Sequence, residues 1–234
     1  AFVNDGMLRA EVQQKLHDIN DIERLINRIN GNSAIPRDLT ALRSSLANLP
    51  DIISLLTDVL GRIAPAMKRI LPLREPYQLL VEAISDNPPA TLQNTGIIRA
   101  GYSEELDQVI ISSKHAREWM ANLESAERDR TGIKTLKVGY NKVFGYYIEI
   151  SRGLAAQAPE AYIRKQTLVN AERFITSEMK EYETLILNAE ENIRQIEGRL
   201  FGQVCAGLSV YAEDIVETAR SLGTLDVLLS LAET

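Results

Sequence analysis

The chain has little of what site chemistry usually requires. One cysteine, Cys205, leaves no internal disulfide framework and suits a reducing compartment. The two histidines, His17 and His115, are far apart and lack Cys or carboxylate neighbours at ligand spacing, so no zinc site is expected. The single tryptophan, Trp119, falls mid-helix, where packing is the ordinary role. No apolar run approaches the roughly 18 residues needed to span a bilayer, and no signal peptide opens the chain. Positive charge is also short. Twenty-six Lys and Arg against 32 Asp and Glu give a net charge of −6, which argues against coating nucleic acid over the whole surface. The sequence opens on Ala1 and its last helical pattern stops abruptly at Thr234, as expected of a piece of a longer protein.

The scarcity of positive charge is reversed in one stretch. Lys134 to Phe174 carries Lys134, Lys137, Lys142, Arg152, Arg164, Lys165 and Arg173 against Glu149, Glu160 and Glu172. Its net charge is therefore +4 and the remainder of the chain is −10. It also holds six of the 13 aromatic residues: Tyr140, Phe144, Tyr146, Tyr147, Tyr162 and Phe174. Val138, Val143, Ile148 and Ile150 add β-branched side chains, with Gly139, Asn141 and Gly145 between them. That composition predicts a short antiparallel pair with tight turns or bulges. Tyr162–Leu168 and Ala171–Ile175 read as further short strands. A small basic β element in an acidic chain invites a polyanionic partner.

The rest reads as helix. Leu8, Val12 and Leu16 mark a first helix. Asp18 is expected to cap a second, with Ile19, Ile22, Leu25, Ile26 and Ile29 as its stripe and Asn30-Gly31 as its stop. Pro36 suits the first turn of a third helix, which Pro50 should end. Ile52, Ile53, Leu55, Leu56, Val59 and Leu60 predict a fourth, closed by Gly61. Pro65, Pro72 and Pro76 should bend the chain, and Tyr77–Ser85 predicts a further short helix. Ile97-Ile98 reads as a short strand. Ser103, followed by Glu104 and Glu105, opens a helix that runs to about Arg130, on the order of 42 Å. Its seam is Leu106, Val109, Ser113, Ala116, Met120 and Leu123.

Thr176 should cap a second long helix. Met179, Tyr182, Ile186, Ala189, Ile193, Ile196 and Leu200 alternate steps of three and four, the seam of a coiled coil. With no proline after Pro159, the pattern predicts one helix over 177–221, with a short apolar helix after Gly223. Glutamates from Glu178 to Glu197 read as its solvated face, and Cys205 as packing. The fold class expected is mainly α with a small antiparallel β insertion. Its parts are a helical core base (1–102), an outgoing helix (103–130), a β head (131–175), a returning helix (176–221) and a short helix rejoining the base (222–234). The two long helices form an antiparallel arm with the head at its tip.

These residues permit a comparison. GYNKVFGYYIEISR followed by YIRKQTLVNAERF, with the approach TGIKTLKVGYNK, resembles the clamp of the MutS family of DNA mismatch-repair proteins. DIERLINRI with PRDLTALRSSL is similar to that family's core domain. GYSEELDQ, residues Glu178 to Glu183 and SLGTLDVLLSLA are similar to its lever helices. The likeness covers essentially the whole chain and is closest to bacterial members. It implies a cytoplasmic homodimer, working with other mismatch-repair proteins, whose paired clamps touch the sugar–phosphate backbone of double-stranded DNA without reading sequence. ATP and Mg belong to an ATPase domain of the parent protein. Neither Phe-x-Glu, the mismatch-wedging motif, nor G-x-x-x-x-G-K-[ST] occurs here. The chain itself is therefore expected to be no enzyme and to hold no cofactor or metal.

Backbone contact needs positive charge and neutral donors. Lys137, Lys142, Arg164, Lys165 and Arg173 supply charge; Gln166, Thr167 and Asn170 supply donors. Any one lysine or arginine alone would ordinarily be a solvated side chain, and the resemblance raises the group together. The aromatics read as the core of the head, Tyr147 and Phe144 above all. Glu172 can pair with Arg164 or Arg173 and hold one of them away from DNA. The alternative to a DNA clamp is a coiled-coil interaction arm whose β head grips a protein.

Overall fold

Asp5 accepts a hydrogen bond from the Leu8 amide and opens α1 (Gly6–His17). The computed structural model describes residues 2–57 and 70–233, so the predictions at Val59, Leu60, Gly61 and Pro65 lie outside the described residues. Two compact units are resolved: one made of 1–102 with 194–234, the other of 103–193.

The first unit is helical. It holds α1, α2 (Ile22–Asn30), α3 (Pro36–Leu56), α4 (Arg74–Ala83), the end of α6 (Ser177–Ser209) and α7 (Ala212–Leu231). Helix α2 lies against α3 and α7, and α1 against the same pair. Its core is the expected stripe of α2, Ile22, Leu25, Ile26 and Ile29, packed with Leu39, Leu42, Leu46 and Leu49 of α3. Each such side chain contributes roughly 1.5–3 kcal/mol by leaving water.

Several boundaries differ from the sequence reading. Asp21, not Asp18, caps α2, accepting from the Arg24 amide at 2.9 Å. Asp18 instead closes α1, and the Asn20 amide is held by Ser45 Oγ at 2.9 Å, which places the turn after Asp18. Pro50 does not end α3. It sits inside a 21-residue helix. Proline forfeits one backbone hydrogen bond there, but Ile52 and Leu56 continue the buried stripe across it. Helix α4 begins three residues before Tyr77. Pro76 falls in its first turn, where amides lack intrahelical partners anyway. Ile98 forms a single bridge with Ile84 rather than a strand.

The helix expected over 177–221 is two helices, α6 and α7, parted at Val210-Tyr211. Ser209 returns its hydroxyl to the Cys205 carbonyl at 3.0 Å, the exposed β-branched Val210 follows, and Glu213 and Asp214 favour a fresh N-terminus. Gly223 lies within α7, because Leu222, Leu225 and Leu229 are buried along one side of it. Cys205 is buried, and burial pushes its thiol up to about 11, consistent with packing rather than nucleophilic chemistry.

Glu197 departs most from expectation. It is 1% exposed rather than solvated. Its carboxylate accepts from the amides of Gly96 (2.9 and 3.1 Å), Ile97 (2.8 Å) and Ile98 (3.1 Å). Three backbone donors satisfy a charge that burial would otherwise make costly.

The second unit holds α5 (Glu104–Thr131), four strands and the start of α6. Ser103 caps α5 through the Leu106 amide, and Gly132 ends it in the left-handed region at φ 72°. Thr176 caps α6 through the Met179 amide at 3.0 Å. The strands are β1 (Lys137–Asn141), β2 (Gly145–Ser151), β3 (Ile163–Thr167) and β4 (Ala171–Ile175), in the order β1-β2-β4-β3, every pair antiparallel. The fold is mainly α with one small antiparallel β insertion, as the sequence predicts.

Candidate nucleic-acid interface

The period of two along β2 and β4 gives the sheet its two faces. Ile148, Ile150 and Phe174 point inward. There they meet Met120 and Leu123 of α5, Met179 of α6, and Ile133, Leu136 and Tyr162. Trp119 stacks on Tyr182 with ring centres 4.3 Å apart, joining α5 to α6 beside this core. Both helices also hold the sheet by its backbone. Glu124 accepts from the Val138 amide at 2.9 Å, and Glu183 from the Tyr146 amide at 3.0 Å. The Tyr162 hydroxyl donates to Glu127 at 2.5 Å, and Arg130 donates to the same oxygen. Burial, followed by the hydrogen bond to Glu127 and then its charge, drives the Tyr162 phenol well above its usual range.

The aromatic prediction was half right. Tyr162 and Phe174 are core, but Phe144 is exposed at the β1–β2 turn and Tyr147 lies on the outer face. Tyr147 can lie flat there because its cross-strand partner is Gly139. A methyl group at that position would meet the Tyr147 ring at 2.6 Å. The Arg173 guanidinium covers the ring at 4.1 Å from its centre.

The β1–β2 connection is one of the predicted tight turns. Asn141 pairs with Gly145 around Lys142–Phe144, the Val143 amide donates to Asn141 Oδ1 at 2.8 Å, and Gly145 takes φ 80°. A Cβ at Gly145 would fall on the Glu183 carboxylate. Gly145→Ala is therefore expected to lose about 2 kcal/mol through φ strain and displacement of Glu183. Urea unfolding measures it; a loss within 0.5 kcal/mol (about the spread of neutral surface changes) would contradict the contact.

The eight candidate residues do not converge. Arg173 is only 18% exposed; its Nε donates to Glu149 at 2.8 Å and its NH1 to Gln166 Oε1 at 3.1 Å. Arg164 forms an ion pair with Glu172 at 2.8 Å, so Glu172 takes Arg164 and leaves Arg173 to Glu149. Thr167 is exposed at the end of β3, and Asn170 in the β3–β4 turn, where its carbonyl accepts from the Arg152 amide. Lys137, Lys142 and Lys165 are exposed and, among the described residues, have no ion-pair partner. Lys137 and Lys165 stand on opposite edge strands, roughly 14 Å apart across the sheet. The sequence reading missed Glu149, Glu124 and Glu183 as tethers. Only the register identifies Glu149, by placing it opposite Arg173.

Residues 101–192 match the model of MutS family domain IV, a span that nearly coincides with the second compact unit. Over 237 residues the chain is 44% identical to the DNA mismatch repair protein MutS of Methanosarcina acetivorans, covering 99% of this chain and 26% of that protein. It is 47% identical to the protein of the same description from Pelotomaculum thermopropionicum, covering 99% and 27%, and 47% identical to that of Alkaliphilus oremlandii, covering 98% and 26%. The chain belongs to the MutS family. It spans about a quarter of the length of the MutS relatives it matches. Within the MutS segment, the domain IV match includes the whole sheet and all eight candidate residues.

Proposed function

We propose that this chain is the core, lever and clamp segment of a MutS-type mismatch-repair protein, and that its β head grips double-stranded DNA by the backbone without reading sequence. The observation that carries the reading is the separation of charge within the head. Both arginines on the β3–β4 ladder are paired with glutamates, whereas Lys137, Lys142 and Lys165 are exposed without an ion-pair partner among the described residues. Exposed ammonium groups on a small β head, without ion-pair partners among the described residues, suit phosphates that repeat along a duplex, and nothing about them requires base contact. The relatives' common description as mismatch-repair proteins supports the same reading. Mismatch selection, ATP hydrolysis with Mg, the homodimer and the mismatch-repair partners belong to the parent protein, and the segment itself catalyses nothing.

Fluorescence anisotropy of the 234-residue chain on a paired duplex and on one carrying a single mismatch tests this reading. Equal affinity for the two is expected, with log K falling linearly as log salt rises. Preference for the mismatched duplex, or binding indifferent to salt, would overturn it.

A further inference from the structure

Helix α4 runs on into a short extended segment that pairs with the loop before α5. The Ser85 amide donates to the Ile97 carbonyl at 3.0 Å and the Arg99 amide to the Ala83 carbonyl at 2.8 Å, around the Ile84–Ile98 bridge. This pairing sets the Arg99 side chain beside Asp86. From α3, Arg43 reaches the same place, and its Nη1 donates to the Ile84 carbonyl at 2.8 Å. Two guanidinium groups therefore converge on one carboxylate oxygen. Asp86 Oδ1 takes Arg99 Nη2 at 2.5 Å and Arg43 Nη2 at 3.2 Å. These side chains line an open pocket of about 450 Å³ with Thr40, Ser44 and Tyr77, all within the first compact unit. Its charges do not balance, because the lining holds two arginines and one acid. Arg99 Nε is buried without a hydrogen-bond partner among the described residues. A guanidinium fork matches two oxygens of one oxyanion, so this fork is half used. The Arg99 hydrogen bond, reinforced by the charges of Arg99 and Arg43, holds the Asp86 carboxyl below its usual range.

Independently of the clamp reading, we propose that this pocket binds a small molecule through an oxyanion, a phosphate or carboxylate group, held by Arg43 and Arg99 in the place that Asp86 now fills. The Asp86 side chain is 68% exposed, so it can swing into water when a second anion enters. Arg43 is anchored by the Ile84 carbonyl and only 15% exposed, so one of the two donors is already fixed for a ligand. The pocket has the size of a small-molecule site. A triad of this kind can also serve only to fasten α3 to the segment after α4. The two roles part when Asp86 is neutralised. A fastener weakens, whereas an anion site loses its resident competitor and binds more tightly.

The test follows backbone amide shifts of the full 234-residue chain as sodium phosphate or sodium acetate is added, against sodium chloride of equal ionic strength. Saturable shifts at Arg43, Ser44, Tyr77, Asp86 and Arg99 are expected with phosphate, acetate or both, and the anion that answers names the group. Asp86→Asn should tighten binding about tenfold and Arg99→Gln should weaken it about tenfold, the worth of one charge-assisted contact. Arg43 is left in place because it also holds the Ile84 and Ser85 carbonyls. Shifts that only match those of chloride, in the unmodified chain and in Asp86→Asn alike, would overturn the inference, whatever the head does with DNA. So would a folded Asp86→Asn that binds more weakly than the unmodified chain, or saturable binding that Arg99→Gln leaves unchanged. If Asp86→Asn does not fold, silence of the unmodified chain overturns the inference alone.

Discussion

Replacing Glu197 by alanine is expected to lower the unfolding free energy by about 3 kcal/mol or more. The side chain is buried on α6, and its carboxylate is the acceptor for three consecutive backbone amides, Gly96, Ile97 and Ile98. A buried donor left unmatched costs roughly 1–3 kcal/mol, and this substitution strands two, the Ile97 and Ile98 amides, beside the part-buried Gly96 amide. Water entering the gap relieves part of that cost, which is why the full sum is not expected. Ile97 and Ile98 are themselves buried, and Ile98 bridges Ile84, so loosening the loop also exposes apolar surface. Glu197→Gln keeps the volume and one acceptor oxygen and should lose roughly half as much, since hydrogen bonds to an ionised acceptor are about twice as strong as neutral ones. Urea denaturation of both variants measures the order, with an unchanged denaturant slope confirming that stability alone moved. A loss below about 1 kcal/mol in the alanine variant, the size of one ordinary hydrogen bond, would mean that the carboxylate does not hold the loop.

The second large effect is on binding. Substituting Lys137, Lys142 and Lys165 together by alanine is expected to reduce the salt slope by about 2.7, three phosphates at roughly 0.9 each. Affinity for paired and mismatched duplexes should fall by the same factor. All three side chains are exposed and lack ion-pair partners among the described residues, so the thermal midpoint should barely move. Removing Arg164 and Arg173 should do the reverse. Each sits against a glutamate, so stability should suffer more than the slope. Loss confined to mismatched duplex would contradict the assignment, as would equal losses from lysines and arginines.

Which parts of this were legible in the sequence follows from the range of the forces involved. The ends of α5 and the start of α6 were set by residues within one turn of them: Ser103, Gly132 and Thr176. The strands were visible because β-branched and aromatic side chains crowd into one short stretch with glycine at the turns. Where a distant contact outweighs local preference, the reading failed. Pro50 stays helical because Ile52 and Leu56 need the core, and Glu197 is buried because a loop a hundred residues away brings it three amides. The candidate site divides the same way. A cluster of basic residues can be counted along a chain, but which of them keep their charge for a ligand depends on cross-strand register. Glu149 meets Arg173 only because β2 and β4 pair as they do. Tyr147 and Phe144 were assigned to the core on hydrophobicity, although strand alternation already puts Tyr147 and Ile148 on opposite faces.

The central claim is that the basic head, and not the helical base, is what meets DNA. Backbone amide shifts of the 234-residue chain, followed as a paired duplex is added at low salt, test it most directly. The account predicts shifts concentrated in 134–174, strongest near Lys137, Lys142 and Lys165, that collapse as salt is raised. Shifts confined to residues 1–102 and 194–234, or a head that stays silent while the duplex binds, would contradict it.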